Sequence, residues 1–371
     1  ATSALAVGNI TTPENDCFYV YVASMTSVGT QTSPVRFSAP ADTSDLRNMI
    51  WAPDSTGVMC SMYGMKASAG TFNPTMNSDR SWTRSAVAVC AYKTQAGVGS
   101  PALSTLGCRL KFWMNIDQSS WMVGTGLGTT QTYDLPCESG EVNAVAVAYS
   151  DPNKIFVGAT PSAANVESHI SSVPSNNWKS TTPINAGAAG AGTWIGFVKA
   201  VTGAFKKDST LTLTFTAQPT TSTTMQSIVY GIVNADKFDA EGHGGANPNV
   251  ACPTTQTAVL STDLVVAKDH SLVLGLVQED QQQVSDVVMN PPVRTTNPGL
   301  DSPGIYEFSD GVHDGGFTHT NDVPAGTYDF DVSYNAVEGA FNLTNFGMVA
   351  ISISGLPPFD VAPALMGQQV F

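Results

Sequence analysis

Residues 210–216 read Thr-Leu-Thr-Leu-Thr-Phe-Thr. Every second residue is apolar and each residue between is a threonine. A period of two cannot serve a helix, whose faces repeat about every 3.6 residues, and it describes a strand with Leu211, Leu213 and Phe215 on one face. That face must be covered, and the threonines are expected to point away from the core. The alternation recurs along the chain. Phe18, Val20 and Val22 share a face, and Leu110, Phe112, Met114 and Ile116 oppose Arg109, Lys111, Trp113 and Asn115. Phe330, Val332 and Tyr334 oppose Asp329, Asp331 and Ser333, and Val349, Ile351 and Ile353 oppose Ala350, Ser352 and Ser354. The segment MQSIVYGIV follows the turn-like QPTTSTT and is expected to pair antiparallel with the 210–216 strand.

A second kind of strand is apolar on both faces. In RSAVAVCAY, Val87, Val89 and Ala91 fill one face, and Ala86, Ala88 and Cys90 fill the other, with no charge between Arg84 and Lys93. Such a strand is expected to be central in its sheet and covered on both sides. Residues 142–149, VNAVAVAY, repeat the pattern. Helical signals are few. TSDLRNMIWAP offers Ser44 or Asp45 as a cap before Pro53, and PSAANVESHISSVP has room for two turns between Pro161 and Pro174. Many short strands with 33 Gly and 22 Pro to turn them predict a mainly β protein built as a sandwich or jelly roll. An immunoglobulin-type sandwich fits less well, because no Cys-Trp-Cys spacing is present. The expected division is a jelly-roll domain over 1–235, a Gly/Pro/Asn-rich linker over 236–256, and a smaller β-rich region over 257–371.

Charge narrows the function classes. Charged residues make up 12% of the chain, with 30 Asp and Glu against 16 Lys and Arg, for a net charge of −14. An acidic surface of this kind argues against broad nucleic-acid binding. No run of about 18 apolar residues is present, so no membrane-spanning helix is expected. The chain opens ATSALAVGNITTPEND, without the basic start and apolar core of a signal peptide and without Met, so a processed start is expected.

Chemistry-bearing motifs are sparse. The six cysteines contain no CxxC, which argues against a zinc or redox site, and Cys90 reads as a buried thiol inside a strand. His313, Asp314 and His319 lie close together in DGVHDGGFTH, and Asp236, Asp239, Glu241 and His243 in DKFDAEGH. The first reads as a solvated Gly-rich loop and the second as a solvated acidic loop. The second could supply oxygen ligands to Ca²⁺ without matching an EF-hand. His169 and His270 complete the histidines. GxSxG, HExxH, GxGxxG and Walker motifs are absent, so no catalytic, cofactor-binding or metal-ligating residue is assigned and no enzymatic activity is expected. No cofactor is expected, with Ca²⁺ at a subunit interface the one ion left open.

Taken in order, DCFYVYVASMTSVG, MCSMYGM, SWTRSAVAVCAY, CRLKFWMNI and DSTLTLTFTAQPTTSTTMQSIVYGIVN resemble segments of nodavirus coat proteins over about residues 10–235. The first resembles that family's first core strand. SWTRSAVAVCAY and CRLKFWMNI resemble its central hairpin, and the last segment its final two barrel strands. The capsid proteins of bacilladnaviruses, the single-stranded DNA viruses of diatoms, are similar. The resemblance implies an eight-stranded viral jelly roll and a virion subunit. Its partners would be many copies of itself in an icosahedral shell, a viral genome and a host receptor, with assembly inside the host cell. It also implies an Arg-rich N-terminal arm on the genome, which would precede Ala1. Arg109, Lys111, Lys206 and Lys207 would then be minor helpers. The region after residue 256 would be a projecting domain or a surface tail.

Nodavirus coats cut themselves at an Asn-Ala bond near the C-terminus. This chain has Asn-Ala at 143, 185, 234 and 335, and the last is followed by a strand pattern and Pro357-Pro358 where a membrane helix would be needed. Asn335-Ala336 is therefore expected to stay intact. The rival reading is a secreted β-sandwich adhesin or carbohydrate-binding protein, for which Trp51, Trp121, Trp178 and Trp194 in loops would stack on sugars.

Overall fold

The computed structural model describes residues 2–6, 8–12, 17–26, 37–38, 43–48, 57–66, 69–73, 75–82, 84–92, 108–117, 128–135, 137, 142–186, 192–200, 205–206, 208–218, 225–246, 250–252, 263–279, 284–289, 304–309, 314–329, 332–336, 341–343 and 346–356. The described residues are mainly β, in several antiparallel sheets. Three of these sheets stack. The middle sheet runs Arg109–Asp117, Gln226–Val233, Ala144–Asp151, Trp194–Ala200 and Trp178–Ser180, with Ile184–Asn185 also on Trp194–Ala200. The front sheet runs Thr130–Asp134, Thr210–Thr214 and Ile170–Val173. The back sheet runs Ala235–Ala246, Phe346–Gly355, Ser271–Glu279, Asp314–Val323 and Gly304–Ser309.

Front and middle sheets form the sandwich that the alternation predicted. Leu211, Leu213 and Phe215 are buried, while Thr210, Thr212 and Thr214 are only half-buried. They pack with Phe112, Val145, Val147, Tyr149 and Val229 of the middle sheet. The chain wraps this sandwich. From Arg109 its first four strands lie in the middle, front, middle and front sheets, and the last three in the middle, front and middle sheets. The first and last strands therefore end side by side, the wrapping of a jelly roll. Trp178–Ser180 departs from that pattern by joining the edge of the middle sheet.

This wrapping corrects one expected pairing. Gln226–Val233 does not pair with Thr210–Thr214; it lies in the other sheet, between Arg109–Asp117 and Ala144–Asp151. The reason is visible in the side chains. Residues 210–214 have one apolar face and suit an outer sheet, whereas Ile228, Val229, Tyr230 and Ile232 are buried on both faces.

The back sheet covers the other face of the middle sheet. Ala144, Ala146 and Ala148 alternate with Val145, Val147 and Tyr149, so one strand is buried on both sides. Its alanines leave room for Leu272, Leu274, Leu276, Val349, Ile351 and Ile353 of the back sheet, which pack on that face with Phe317. The far face of the back sheet is also buried at Val273, Val277, Met348, Ala350, Ser352 and Ser354. Leu264, Val266 and Tyr328, from the paired strands Asp263–Val266 and Gly326–Asp329, are buried as well, and Ser352 Oγ donates to Val265 O at 3.0 Å.

The chain steps from the middle to the back sheet across one residue. Asn234 has φ of 57°, a left-handed conformation that asparagine tolerates. Asn143 clamps the step. Its Nδ2 donates to Ala235 O at 2.6 Å, its Oδ1 accepts from Ala235 N at 3.1 Å, and its own N donates to Ile232 O at 3.0 Å. Residues 235–246, expected within a linker, are thus a strand paired with Phe346–Gly355. The backbone ladder runs through the Gly residues, while Ala235 and Phe238 pack against the apolar layer between the sheets.

A fourth sheet runs Thr43–Asn48, Gly57–Lys66, Cys17–Thr26 and Arg84–Tyr92. Residues 43–48 are a strand where a helix was expected. Their register with residues 61–66 outweighs the weak preference of a segment too short for a stable helix. Arg84–Tyr92 and Arg109–Asp117 do not form the expected hairpin, since the first pairs with Cys17–Thr26 and the second with Gln226–Val233. Nor is Arg84–Tyr92 central and covered. Among the described strands it is the end one, with Ala86 and Ala88 exposed and Val87 and Val89 half-buried against the sandwich core. The doubly covered strand is Ala144–Asp151. The other described strands form smaller antiparallel sheets.

Candidate assembly surface

Among the described residues, two surfaces offer themselves to a partner: the outer face of the front sheet and the edge at Arg84–Tyr92. The front-sheet face is built by the alternation itself. Registers place Thr130 beside Thr214, set Thr212 between Thr132 and Ser171, and set Thr210 between Asp134 and Val173. The Thr132 and Thr212 hydroxyls are hydrogen-bonded at 2.9 Å. Val173 is 64% exposed at one corner of this array. A hydroxyl-bearing sheet face with a single carboxylate costs less to dehydrate than a charged one, which suits contact with protein.

The acidic segment does not form a loop that could wrap a cation. Asp236, Asp239, Glu241 and His243 lie on the strand Ala235–Ala246, and each acid has a lysine. Lys268 Nζ is 2.6 Å from Asp236 Oδ2, Lys237 Nζ is 3.3 Å from Asp239 Oδ1, and Lys199 Nζ is 3.7 Å from Glu241 Oε2. The last pair joins the middle sheet to the back sheet. Burial lowers the Lys199 pKa, and Glu241 opposes that shift. Among the described residues no group of three or more His, Cys, Asp or Glu could hold a metal ion.

The histidines are dispersed. His319 sits on Asp314–Val323 with its ring edge-on to Tyr230 at 6.3 Å, and burial lowers its pKa to about 4. Asp314 is on the same strand, and His313 lies outside the described residues. His169 caps the helix Ala163–Ser168 and its Nδ1 bonds to Phe156 O. That helix, started by Ser162 Oγ on Asn165 N, is the α-helix of the second predicted segment; the strand Ile170–Val173 takes up the rest. The His270 carbonyl accepts from Cys108 N at 2.9 Å.

One buried acid escaped the sequence reading. Asp151 is fully buried at the end of its strand and accepts from Ile155, Phe156 and Val157 N at 2.8–3.0 Å. Burial raises its pKa to about 6, against the pull of those donors. The Asp-Pro-Asn sequence at 151–153 was the available signal, since a short acceptor before a turn commonly binds the backbone beyond it. The carboxylate closes a turn.

Of the four tryptophans offered for sugar stacking, Trp178 is buried and its Nε1 donates to Ser172 Oγ at 3.2 Å. Trp194 is half-buried, with Lys154 Nζ 6.0 Å from its ring centroid. Trp51 and Trp121 lie outside the described residues. Arg109 and Lys111 are half-buried on the edge of the middle sheet, Lys206 is exposed, and Lys207 lies outside the described residues. Cys108 and Cys137 are buried free thiols, and burial raises the Cys108 pKa; Cys90 lies in a strand whose side chain there is outside the description. Asn335-Ala336 is in the strand Val332–Ala336, with Asn335 in register with Asp286. No helix among the described residues is long and apolar enough to cross a membrane.

No family model matches the chain, and no curated protein matches it. Among solved structures it is similar to a protein of Eubacterium rectale provisionally described as secreted, at 12% identity and a TM-score of 0.19, over 62% of this chain and 69% of that one. A likeness of that size carries no argument about fold or activity.

Proposed function

We propose that this chain is the capsid subunit of a small icosahedral virus, acting by self-assembly and not by catalysis. The observation that carries the proposal is the wrapped strand order of residues 109–233, in which first and last strands pair side by side at one edge of a sheet of the two-sheet sandwich. Lectins and other binders also use that wrapping, so the order alone does not give function. Two further features support a shell subunit. The segments that resemble nodavirus coats include both the first and the last strand of this sandwich. Among the described residues, two surfaces of low charge, the threonine face and the 84–92 edge, are available to a neighbour. Identical chains related by symmetry would bury them.

The C-terminal region forms the back sheet, so on this reading it is fixed to the shell domain by a shared apolar layer. The genome would be held by a basic arm before Ala1, because phosphate neutralisation requires clustered Lys and Arg. Ca²⁺ at a subunit interface remains part of the proposal only through residues that a neighbouring copy would bring. The test is the mass and shape of the expressed chain by light scattering and electron microscopy. Closed particles support the reading. A monomer that binds glycans would replace it with the adhesin reading.

A further inference from the structure

Arg84–Tyr92, the end strand of its sheet among the described residues, has properties that protected edges lack. It is nine residues long, against about five or six for a usual strand. Between Arg84 and Lys93 it has no charge and no proline, the two devices that most often keep an edge from pairing. One side of it is hydrogen-bonded to Cys17–Thr26 along its whole length, and Ala86 and Ala88 are exposed. Unlike the threonine face, such an edge recruits a partner through its backbone.

The residue order says which partner fits. The strand is nearly symmetric about Ala88: Val87 and Val89 flank it, then Ala86 and Cys90, then Ser85 and Ala91, then Arg84 and Tyr92. If a second copy pairs antiparallel about a two-fold axis at Ala88, Val87 meets Val89, Ala86 meets Cys90, and Arg84 meets Tyr92. Every pair is matched in size, residues of one face stay on one face, and no like charges oppose each other. The Val87 and Val89 side, half-buried against the sandwich core, would become continuous across the axis. A partner of different sequence would gain nothing from this symmetry.

We infer that Arg84–Tyr92 is an isologous pairing edge that joins two copies of this chain into one continuous sheet across a two-fold axis at Ala88. The inference rests on the self-assembly reading and names the contact through which assembly begins.

The test uses the full chain with Ala88→Cys in a Cys90→Ala background. The two Ala88 positions would lie within the Cα separation of about 4.4–6.8 Å that a disulfide spans. Mild oxidation followed by trypsin should release residues 85–93 linked to a second copy of the same peptide, because Arg84 and Lys93 bound that peptide. Ala88→Lys places a charge at an exposed position, so the chain should keep cooperative unfolding. Assembly should nonetheless fall by more than about tenfold, because two lysines would stand directly opposite each other across the axis. Particles that form without the self-linked peptide, or that form normally with Ala88→Lys, would overturn the inference and leave the capsid reading standing. A self-linked dimer that never grows into particles would support the inference and remove the capsid reading. A wild-type chain that stays monomeric and unlinked at all concentrations would remove both.

Discussion

Single residues show how far period-2 patterning reaches. Leu211, Leu213 and Phe215 were assigned inward from alternation alone, and all three are buried. Phe215→Ala should therefore destabilise the chain by about 3–5 kcal/mol, read as a lower chemical-denaturation midpoint; a change below about 1 kcal/mol would place the ring outside the core. Asp151 was not legible in the same way, because nothing in an Asp-Pro-Asn turn says that its carboxylate will be sealed from water. Asp151→Asn supplies one acceptor oxygen for three N–H donors and turns an NH₂ group toward them, at an expected cost of about 1–3 kcal/mol at neutral pH.

The pH dependence has a definite sign. Because the folded pKa of Asp151 is raised to about 6, the folded chain holds a proton between pH 4 and 6 that the unfolded chain has lost. Its contribution to stability thus falls as pH rises through that window. His319 acts oppositely. Its folded pKa is lowered to about 4, so the unfolded chain takes up the proton first and stability is lost as pH falls from about 6.5 toward 4. Melting temperature against pH should show a steeper acid loss in Asp151→Asn than in the wild type. An unchanged profile would mean that Asp151 titrates alike in both states.

At the scale of elements, strands were legible where one face was polar, and pairing was not. Strands apolar on both faces look alike in sequence, yet Ala144–Asp151 became a buried central strand and Arg84–Tyr92 an edge. The difference lies in what packs above them, which local periodicity does not encode. Arg109–Asp117 failed for another reason. A bulge between Leu110 and Phe112 turns Leu110 to the back-sheet layer and Phe112 to the front-sheet layer, so one extra residue breaks the alternation.

The step between the middle and back sheets also escaped notice, since Gly and Asn after residue 234 look like a linker. It depends on the Asn143 clamp. Asn143→Ala leaves the Ala235 N–H and C=O without their partners and should cost about 1–3 kcal/mol, with faster amide exchange at residues 235–246. Unchanged exchange there would show that the ladder to Phe346–Gly355 suffices. For Asn335-Ala336, strand pairing keeps the backbone extended, and the bond is expected to survive in aged material. A stoichiometric new N-terminus at Ala336 by mass spectrometry would instead make this a self-cleaving coat, with Asp286 the first residue to test.

Over the whole molecule, the stacked sheets explain why a chain with so few charges can be so apolar. Two apolar layers share the middle sheet, and its alanines accept the larger residues of the back sheet. The mainly β class was readable from composition and alternation. The stacking was not, because it depends on which strands share a sheet. Function was readable only as a resemblance, and the proposal stands on the wrapped order of the sandwich together with that resemblance. Its most direct test is the particle mass of the purified chain, measured by native mass spectrometry or light scattering at neutral pH. A closed assembly of megadalton mass is the predicted result; a monodisperse monomer at every concentration would contradict it.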